Sequence, residues 1–362
     1  MFNFLSHKRS LKSEGKTLVD LLEKLWSLKL FRIILVVIAV VIVLPFILFY
    51  IYRPIIRPDI SYGITFSNKY ASQLGLDWKD AYIKILDDLG VRNFRLVAYW
   101  DEIETEKGVY DYSNLDWQVQ EAQKRNAKII LSFGRKVPRW PECFEPTWWN
   151  DIKEEDVRDY HLFRFIETTT ERYKSFDSIE MWQVENEPFF PFGTCQYPIR
   201  SNTLDKEVEI VRSIDSRPIV IQDSGEGGYW FPSYQKGDYL AISMYRKIWY
   251  DFWGVFFKQF IYFQYPLPHW SYKLKAFVTR VPHEKILVTE LQAEPWGPGL
   301  NSLLTDKEKS KTMSRNDFLS TITYAQRAGF KNLYFWGAEW WLWEKEKNNN
   351  PFYWDTAKAL IN

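Results

Sequence analysis

Two glutamates stand where an α/β chain exposes its chemistry. The run IEMWQVENEPFF places Asn186, Glu187 and Pro188 directly after an apolar, strand-prone stretch, and the run KILVTELQAEPW places Glu290 at the end of another. If these are the fourth and seventh strands of one small parallel barrel, their ends lie on opposite walls of a single mouth. Two carboxyls facing each other across a mouth suit cleavage of a glycosidic bond. One must be protonated to help the leaving oxygen depart, and the other ionised to face the developing oxocarbenium ion. A separation of about 5–5.5 Å would make the ionised group a nucleophile and retain configuration.

The elements that must position this pair read as strands and helices in alternation. Eight short runs rich in β-branched and aromatic residues are predicted strands: 60–67, 93–98, 128–133, 179–184, 218–222, 239–244, 285–289 and 331–335. They lack period-two alternation, as strands buried on both faces do. Helices are predicted over 78–89, 115–124, 157–173, 204–214, 272–281, 306–327 and 351–361. Thr305 with Glu308 forms a capping-box signature before the sixth of these. Eight such units predict an α/β fold, a single (β/α)8 TIM barrel over 60–362, with chemistry at the carboxyl ends of the strands. The aromatic stretch 248–268 (IWYDFWGVFFKQFIYFQYPLP) does not fit a minimal barrel and reads as an insertion after the sixth strand. It could cover a cleft, lie on a membrane surface or pack as a buried excursion.

Composition narrows the function classes. A net charge of +1 over 362 residues gives no basic stripe for nucleic acid. The four histidines are scattered and the two cysteines have no CxxC spacing, so neither a metal nor a cofactor is expected. The run 33–52 (IILVVIAVVIVLPFILFYIY) carries no charge and is long enough for a lipid core of roughly 30 Å. It predicts one transmembrane helix ahead of the barrel, with a short stem at 53–59. Lys8, Arg9, Lys12, Lys16, Lys24, Lys29 and Arg32 precede it, against Arg53 and Arg57 after it. That imbalance predicts residues 1–32 in the cytoplasm and the barrel outside it, in a single-pass protein whose partners are a lipid bilayer and, beyond it, a bacterial envelope.

The run FRLVAYWDEIETEKGVYDYSNLDWQVQEAQKRNAKIILSFG, the Asn-Glu-Pro tripeptide and the Thr-Glu of the seventh strand together resemble the clan A glycoside hydrolases, notably the family 5 cellulase-like and family 42 β-galactosidase-like barrels. The resemblance covers residues 60–361. It implies that Glu187 is the acid/base, Glu290 the nucleophile, and Asn186 a hydrogen-bond partner of the sugar 2-hydroxyl. It further implies that Arg95 and Tyr245 support the nucleophile and that Trp336 forms the platform beneath the reactive sugar. Trp100, Trp140 and Trp340 are looser candidates for stacking on an oligo- or polysaccharide substrate. Two departures stand out. Ser243 occupies a position where many members carry histidine, and Arg135 and Lys136 occupy the loop after the third strand. These two bases could meet an acidic substituent or simply form ion pairs. Cys143 and Cys195 fall in neighbouring loops at the barrel rim, where a disulfide or two buried thiols would both fit. Hydrolysis, transglycosylation of surface polysaccharide and an idle carbohydrate-binding barrel all remain compatible with these residues.

Overall fold

The computed structural model describes residue 26 and residues 29–52, 54–250 and 261–362. It divides into two units, one ending at Pro54 and one beginning at Ile55. In the first, a helix spans Lys29–Ile51 with Pro45 inside it. Among the described residues no helix is long and apolar enough to cross a membrane. The transmembrane span expected over 33–52 is therefore not established. The side chains of Phe46, Phe49 and Tyr50 within this helix lie outside the described residues. Most of the expected cytoplasmic segment 1–32 likewise lies outside the described residues.

The second unit is the barrel. Its strands are β1 (Ser61–Thr65), β2 (Asn93–Val97), β3 (Lys128–Phe133), β4 (Ile179–Val184), β5 (Ile219–Asp223), β6 (Tyr239–Met244), β9 (Ile286–Gln292) and β10 (Asn332–Trp336). All neighbours pair in parallel, and the sheet closes in the order β1-β10-β9-β6-β5-β4-β3-β2. Two apolar layers hold it. Leu96, Leu131, Trp182, Ile221, Ile242 and Phe335 are among the buried residues of the large cluster that extends into the helices. Ile130, Val220, Ala241, Leu287 and Tyr334 form a separate cluster contributed by five strands. Strands packed on both faces explain why these runs show no alternation.

Two further strands, β7 (Lys247–Tyr250) and β8 (Ile261–Gln264), pair antiparallel as the two sides of the expected insertion. Residues 251–260 between them lie outside the described residues. The single helix predicted over 306–327 is two helices, Asp306–Met313 and Arg315–Ala328. Ser314 is extended (φ −69°, ψ 167°), ends the first helix and caps the second through a capping box with Asp317. The Thr305–Glu308 box opens the first. A helix over Ala338–Lys347 follows β10 directly and was absent from the sequence reading.

Gly63 shows how tightly the barrel closes. A Cβ there would sit 2.5 Å from the Tyr334 ring and 2.8 Å from the Asn93 carbonyl. Gly63→Ala should destabilise the barrel by about 1–3 kcal/mol through overpacking. Thermal unfolding followed by circular dichroism checks this; an unchanged midpoint would mean that the contact relaxes without cost.

Candidate active site

The chemistry begins with a buried cation. Arg95, on β2, is fully buried. Its Nε donates to Gln183 Oε1 at 2.7 Å, one terminal nitrogen to Glu290 Oε1 at 2.9 Å, and the other to Asn186 Oδ1 at 2.6 Å. Burial lowers its pKa and the Glu290 charge opposes that shift; an arginine keeps its charge regardless. The fork thus ties β2 to β4 and β9 with three directional bonds.

Glu290 receives two more donors. Gln222 Nε2 reaches Oε1 at 2.6 Å, and the Tyr245 hydroxyl reaches Oε2 at 3.2 Å. Burial and the charge of Glu290 raise the Tyr245 pKa well above the ordinary phenol range, so its proton stays in place to be donated. Gln222 is itself oriented, because its Oε1 accepts from Thr289 Oγ1 at 2.8 Å. Thr289 and Glu290 are adjacent, yet both reach into this network. The reason is a bulge. On β9 the register against β6 steps from Ile242↔Val288 to Ser243↔Glu290, and against β10 it also shifts across this stretch. A bulge re-aims a side chain that strict alternation would turn away.

Glu187 lies in different surroundings. Its neighbours are a hydroxyl, further carboxyls and the Lys136 cation, and Ser243 Oγ donates to its Oε1 at 3.0 Å. Burial, together with the charges of Glu142 and Glu290, raises its pKa well above the usual carboxyl range. Burial also pushes Glu142 up to about 7, with Lys136 opposing. Lys136 Nζ stands 3.3 Å from Glu142 Oε2 but donates instead to the carbonyls of Glu187 (2.9 Å) and Phe190 (3.0 Å), so Glu142 is paired by charge rather than by a hydrogen bond.

The strand end that presents Glu187 is strained. Glu185 and Glu187 have φ of +60° and +45°, a conformation non-glycine residues adopt at a cost of order 1–3 kcal/mol. The neighbouring loop compensates. Glu185 accepts the backbone N–H groups of Arg135 (2.8 Å) and Lys136 (2.6 Å), and Asn186 N–H donates to the Lys136 carbonyl at 2.6 Å. Gly134, with φ +131°, is needed because a Cβ would lie 2.6 Å from the Glu185 carboxyl. Asn186 Oδ1 is held by Arg95, which leaves its buried Nδ2 without a partner among the described residues.

Glu187, Glu290, Asn186, Arg95 and Tyr245 thus converge. Trp336 lies beside them, 8% exposed, with the Arg139 guanidinium 4.1 Å over its ring. Trp140 is 62% exposed and packs edge-on against Phe192. Trp100 and Trp340 do not fit the stacking role expected of them: at 0% and 1% exposure they are core residues. Trp100 stacks on Phe165 and meets Trp149, and Trp340 packs on Tyr353, so neither has a face left for a sugar. Arg135 and Lys136 are committed internally, Arg135 to Glu145 at 3.0 Å and to the Tyr197 carbonyl. Cys143 and Cys195 form a disulfide across 52 residues, joining the loops after β3 and β4. The sequence reading missed Gln183, Gln222, Arg139, Glu142 and the bonding role of Ser243. A polar side chain within an otherwise apolar strand was the available signal for Gln183, Gln222 and Ser243, since burying one is costly unless it is bonded.

No family model matches the chain. A β-galactosidase, BgaA of Clostridium cellulovorans, is 24% identical over 126 residues, 30% of this chain and 19% of that protein. Among solved structures, an exo-β-1,4-mannosidase from Opitutaceae bacterium strain TAV5 aligns with a TM-score of 0.55 at 14% identity, over 83% of this chain and 60% of that one. Xylanase 10B from Thermotoga maritima gives 0.53 at 15%, over 84% and 94%. A β-galactosidase from Halorubrum lacusprofundi gives 0.52 at 12%, over 76% and 52%. The chain spans about a fifth of the curated relative and about half of the β-galactosidase structure. These likenesses establish the fold, a parallel eight-stranded barrel of the kind these glycosidases use.

The Arg95–Glu290 pair makes a structural demand. Arg95→Met should cost about 3–5 kcal/mol, because it strands a buried carboxylate. Arg95→Met combined with Glu290→Gln should recover most of that loss in chemical denaturation. A double variant no more stable than Arg95→Met alone would show that the cost lies elsewhere.

Proposed function

We propose that the protein is a retaining glycoside hydrolase, with Glu290 as nucleophile and Glu187 as acid/base. One observation carries this reading: two buried carboxyls at the same barrel mouth have opposite surroundings. Glu290 takes hydrogen bonds from Arg95, Gln222 and Tyr245, three donors that fix its carboxyl group towards the mouth. Glu187 is buried against other carboxyls, which favours the neutral form. The glycosidases named above share the fold and support the assignment. The alternative of an idle binding barrel gains nothing from the geometry, since binding alone requires neither the split surroundings nor the strain at Glu187.

In the first step a Glu290 oxygen attacks the anomeric carbon as the bond to the leaving oxygen breaks. The proton of Glu187 passes to that oxygen. We assign the donor to the sugar 2-hydroxyl to Asn186 Nδ2, which has no partner among the described residues. In the second step Glu187, now ionised, takes a proton from water. The water oxygen attacks the anomeric carbon, the bond to Glu290 breaks, and both carboxyls return to their starting states. The same residues would serve an acceptor sugar in place of water.

The apolar run 33–52, with its basic flank, supports a tether that holds this activity at a membrane, with the barrel on the non-cytoplasmic side. The full chain should then stay with membranes through alkaline carbonate extraction and leave them with detergent. Its appearance in the carbonate supernatant would contradict the tether.

Two measurements address the chemistry. Because the Glu187 pKa is raised, its proton is present below that pKa and lost as pH rises through it. Hydrolysis of glycosides with poor leaving groups should therefore decline on the alkaline side. Glu187→Ala should lower kcat on such substrates by about 10²–10⁴-fold and spare activated aryl glycosides, which need little protonation. Equal losses on both would remove Glu187 from the acid role. Covalent labelling by an activated 2-fluorosugar should map to Glu290 and vanish in Glu290→Gln; labelling that survives would exclude Glu290 as nucleophile.

A further inference from the structure

The loop after β3 is a finger across the barrel mouth. Lys136 pairs antiparallel with Cys143, and Val137 N–H donates to the Glu142 carbonyl at 2.8 Å. The Cys143–Cys195 disulfide fixes the returning strand of the finger. At its tip is Arg139, with φ +91° and only 6% exposed. The Arg139 guanidinium bonds Glu294 at 2.5 Å, beyond β9, and Glu339 at 3.1 Å, beyond β10. It also stands over the rings of Tyr70 (3.8 Å) and Trp336 (4.1 Å). Burial works against the Arg139 charge, but Glu294 and Glu339 outweigh it and raise its pKa.

The contacts continue from the tip to the neighbouring loops. Tyr99 donates to the Pro138 carbonyl at 3.1 Å and shares a bond of 2.7 Å with Ser67. The Ser67 N–H donates to Glu339 at 2.7 Å. Asn301 donates to the Tyr70 hydroxyl at 2.7 Å. Loops following β1, β2, β3, β9 and β10 therefore meet in one continuous wall beside Trp336. Two carboxyls of that wall, Glu294 and Glu339, share the one Arg139 guanidinium, and Arg139 Nε and Glu294 Oε2 have no hydrogen-bond partner among the described residues.

Among the described residues a cavity of about 250 Å³ lies between the segments that follow β4 and β5, lined by Phe189, Phe190, Pro191, Asp223, Tyr229 and Pro232, among others. It begins two residues after Glu187, whose carboxyl is held by Ser243 and whose carbonyl is held by Lys136. On the glycosidase reading the proton donor stands on the leaving-group side of the scissile bond, and this cavity, next to Glu187 along the chain, would take the leaving group. The attacked sugar would then lie over Glu290, with its non-anomeric hydroxyls directed at the wall.

From this arrangement, and resting on the glycosidase reading above, we infer that the protein is exo-acting: the Arg139 finger seals the glycone end, so the site accepts one terminal sugar at the non-reducing end and releases monosaccharide. Arg139 is the specificity-determining residue of that seal, through its hold on Glu294, Glu339 and Trp336.

The test compares two sets of reagents on the full chain: 2-deoxy-2-fluoro-β-glycosyl fluorides of galactose, glucose, mannose and xylose, and the same reagents extended by a second β-linked sugar on the non-reducing side. Intact-mass spectrometry reads labelling at Glu290. The expected result is labelling by at least one monosaccharide reagent, at a rate at least tenfold above that of its extended form. Equal or faster labelling by extended reagents would overturn the sealed end and leave the glycosidase reading standing. No labelling by any reagent, with no hydrolysis of the matching aryl glycosides, would overturn both. In Arg139→Ala the ratio of extended to monosaccharide labelling should rise at least tenfold. If the stranded carboxyls prevent folding, the triple variant Arg139→Met/Glu294→Gln/Glu339→Gln carries the same expectation. An unchanged ratio in a folded variant would remove Arg139 from the seal.

Discussion

The site depends on Arg95 and on its complete burial. A guanidinium at the centre of a barrel must have all its hydrogen-bond directions met by protein, because an unmatched buried charge is among the most costly features a fold can carry. Its partners here are Gln183, Glu290 and Asn186. Each of those partners is fixed in turn: the carboxylate faces the mouth, and the Asn186 amide must present its oxygen to the arginine and its nitrogen elsewhere. One desolvated cation therefore sets the orientation of the groups proposed to attack and to bind.

The second constraint is the contrast between the carboxyls. Both are almost fully buried, so burial alone cannot separate their roles. Neighbours do. Glu290 is surrounded by donors on β2, β5 and the segment after β6. Glu187 is buried near Glu142 and Glu290, whose charges raise its pKa, while Lys136 and the Ser243 hydroxyl oppose that shift without reversing it. The left-handed backbone at Glu185 and Glu187 delivers this geometry, and the Glu185 bonds to the β3 loop hold it. The Cys143–Cys195 disulfide joins that same loop to the one following Glu187. Acid, finger and disulfide are thus one mechanical unit.

The barrel was legible in the sequence because its signal is local: each apolar run is a strand, and each amphipathic run a helix. The carboxyl pair was legible because it falls at strand ends. What escaped depends on three dimensions. The β9 bulge, which turns both Thr289 and Glu290 into one network, has no compositional mark. Arg139 lies in a loop whose bases looked like candidates for substrate, yet its partners Glu294 and Glu339 are 155 and 200 residues away. Trp100 and Trp340 were misjudged because tryptophan serves a core and a sugar platform equally well; only burial distinguishes the two. The capping signal at Ser314 with Asp317 is present in the sequence but lies within a stretch whose apolar spacing is helical on both sides of it.

The central claim is that burial beside other carboxyls raises the Glu187 pKa well above the ordinary carboxyl range, which makes it the proton donor of the site. Infrared difference spectroscopy followed through a pH titration measures this directly. Glu187→Gln should remove a protonated-carboxyl band that in the wild type persists above the pH at which ordinary carboxyls have ionised. A wild type and a Glu187→Gln variant with the same protonated-carboxyl bands throughout the titration would contradict the account.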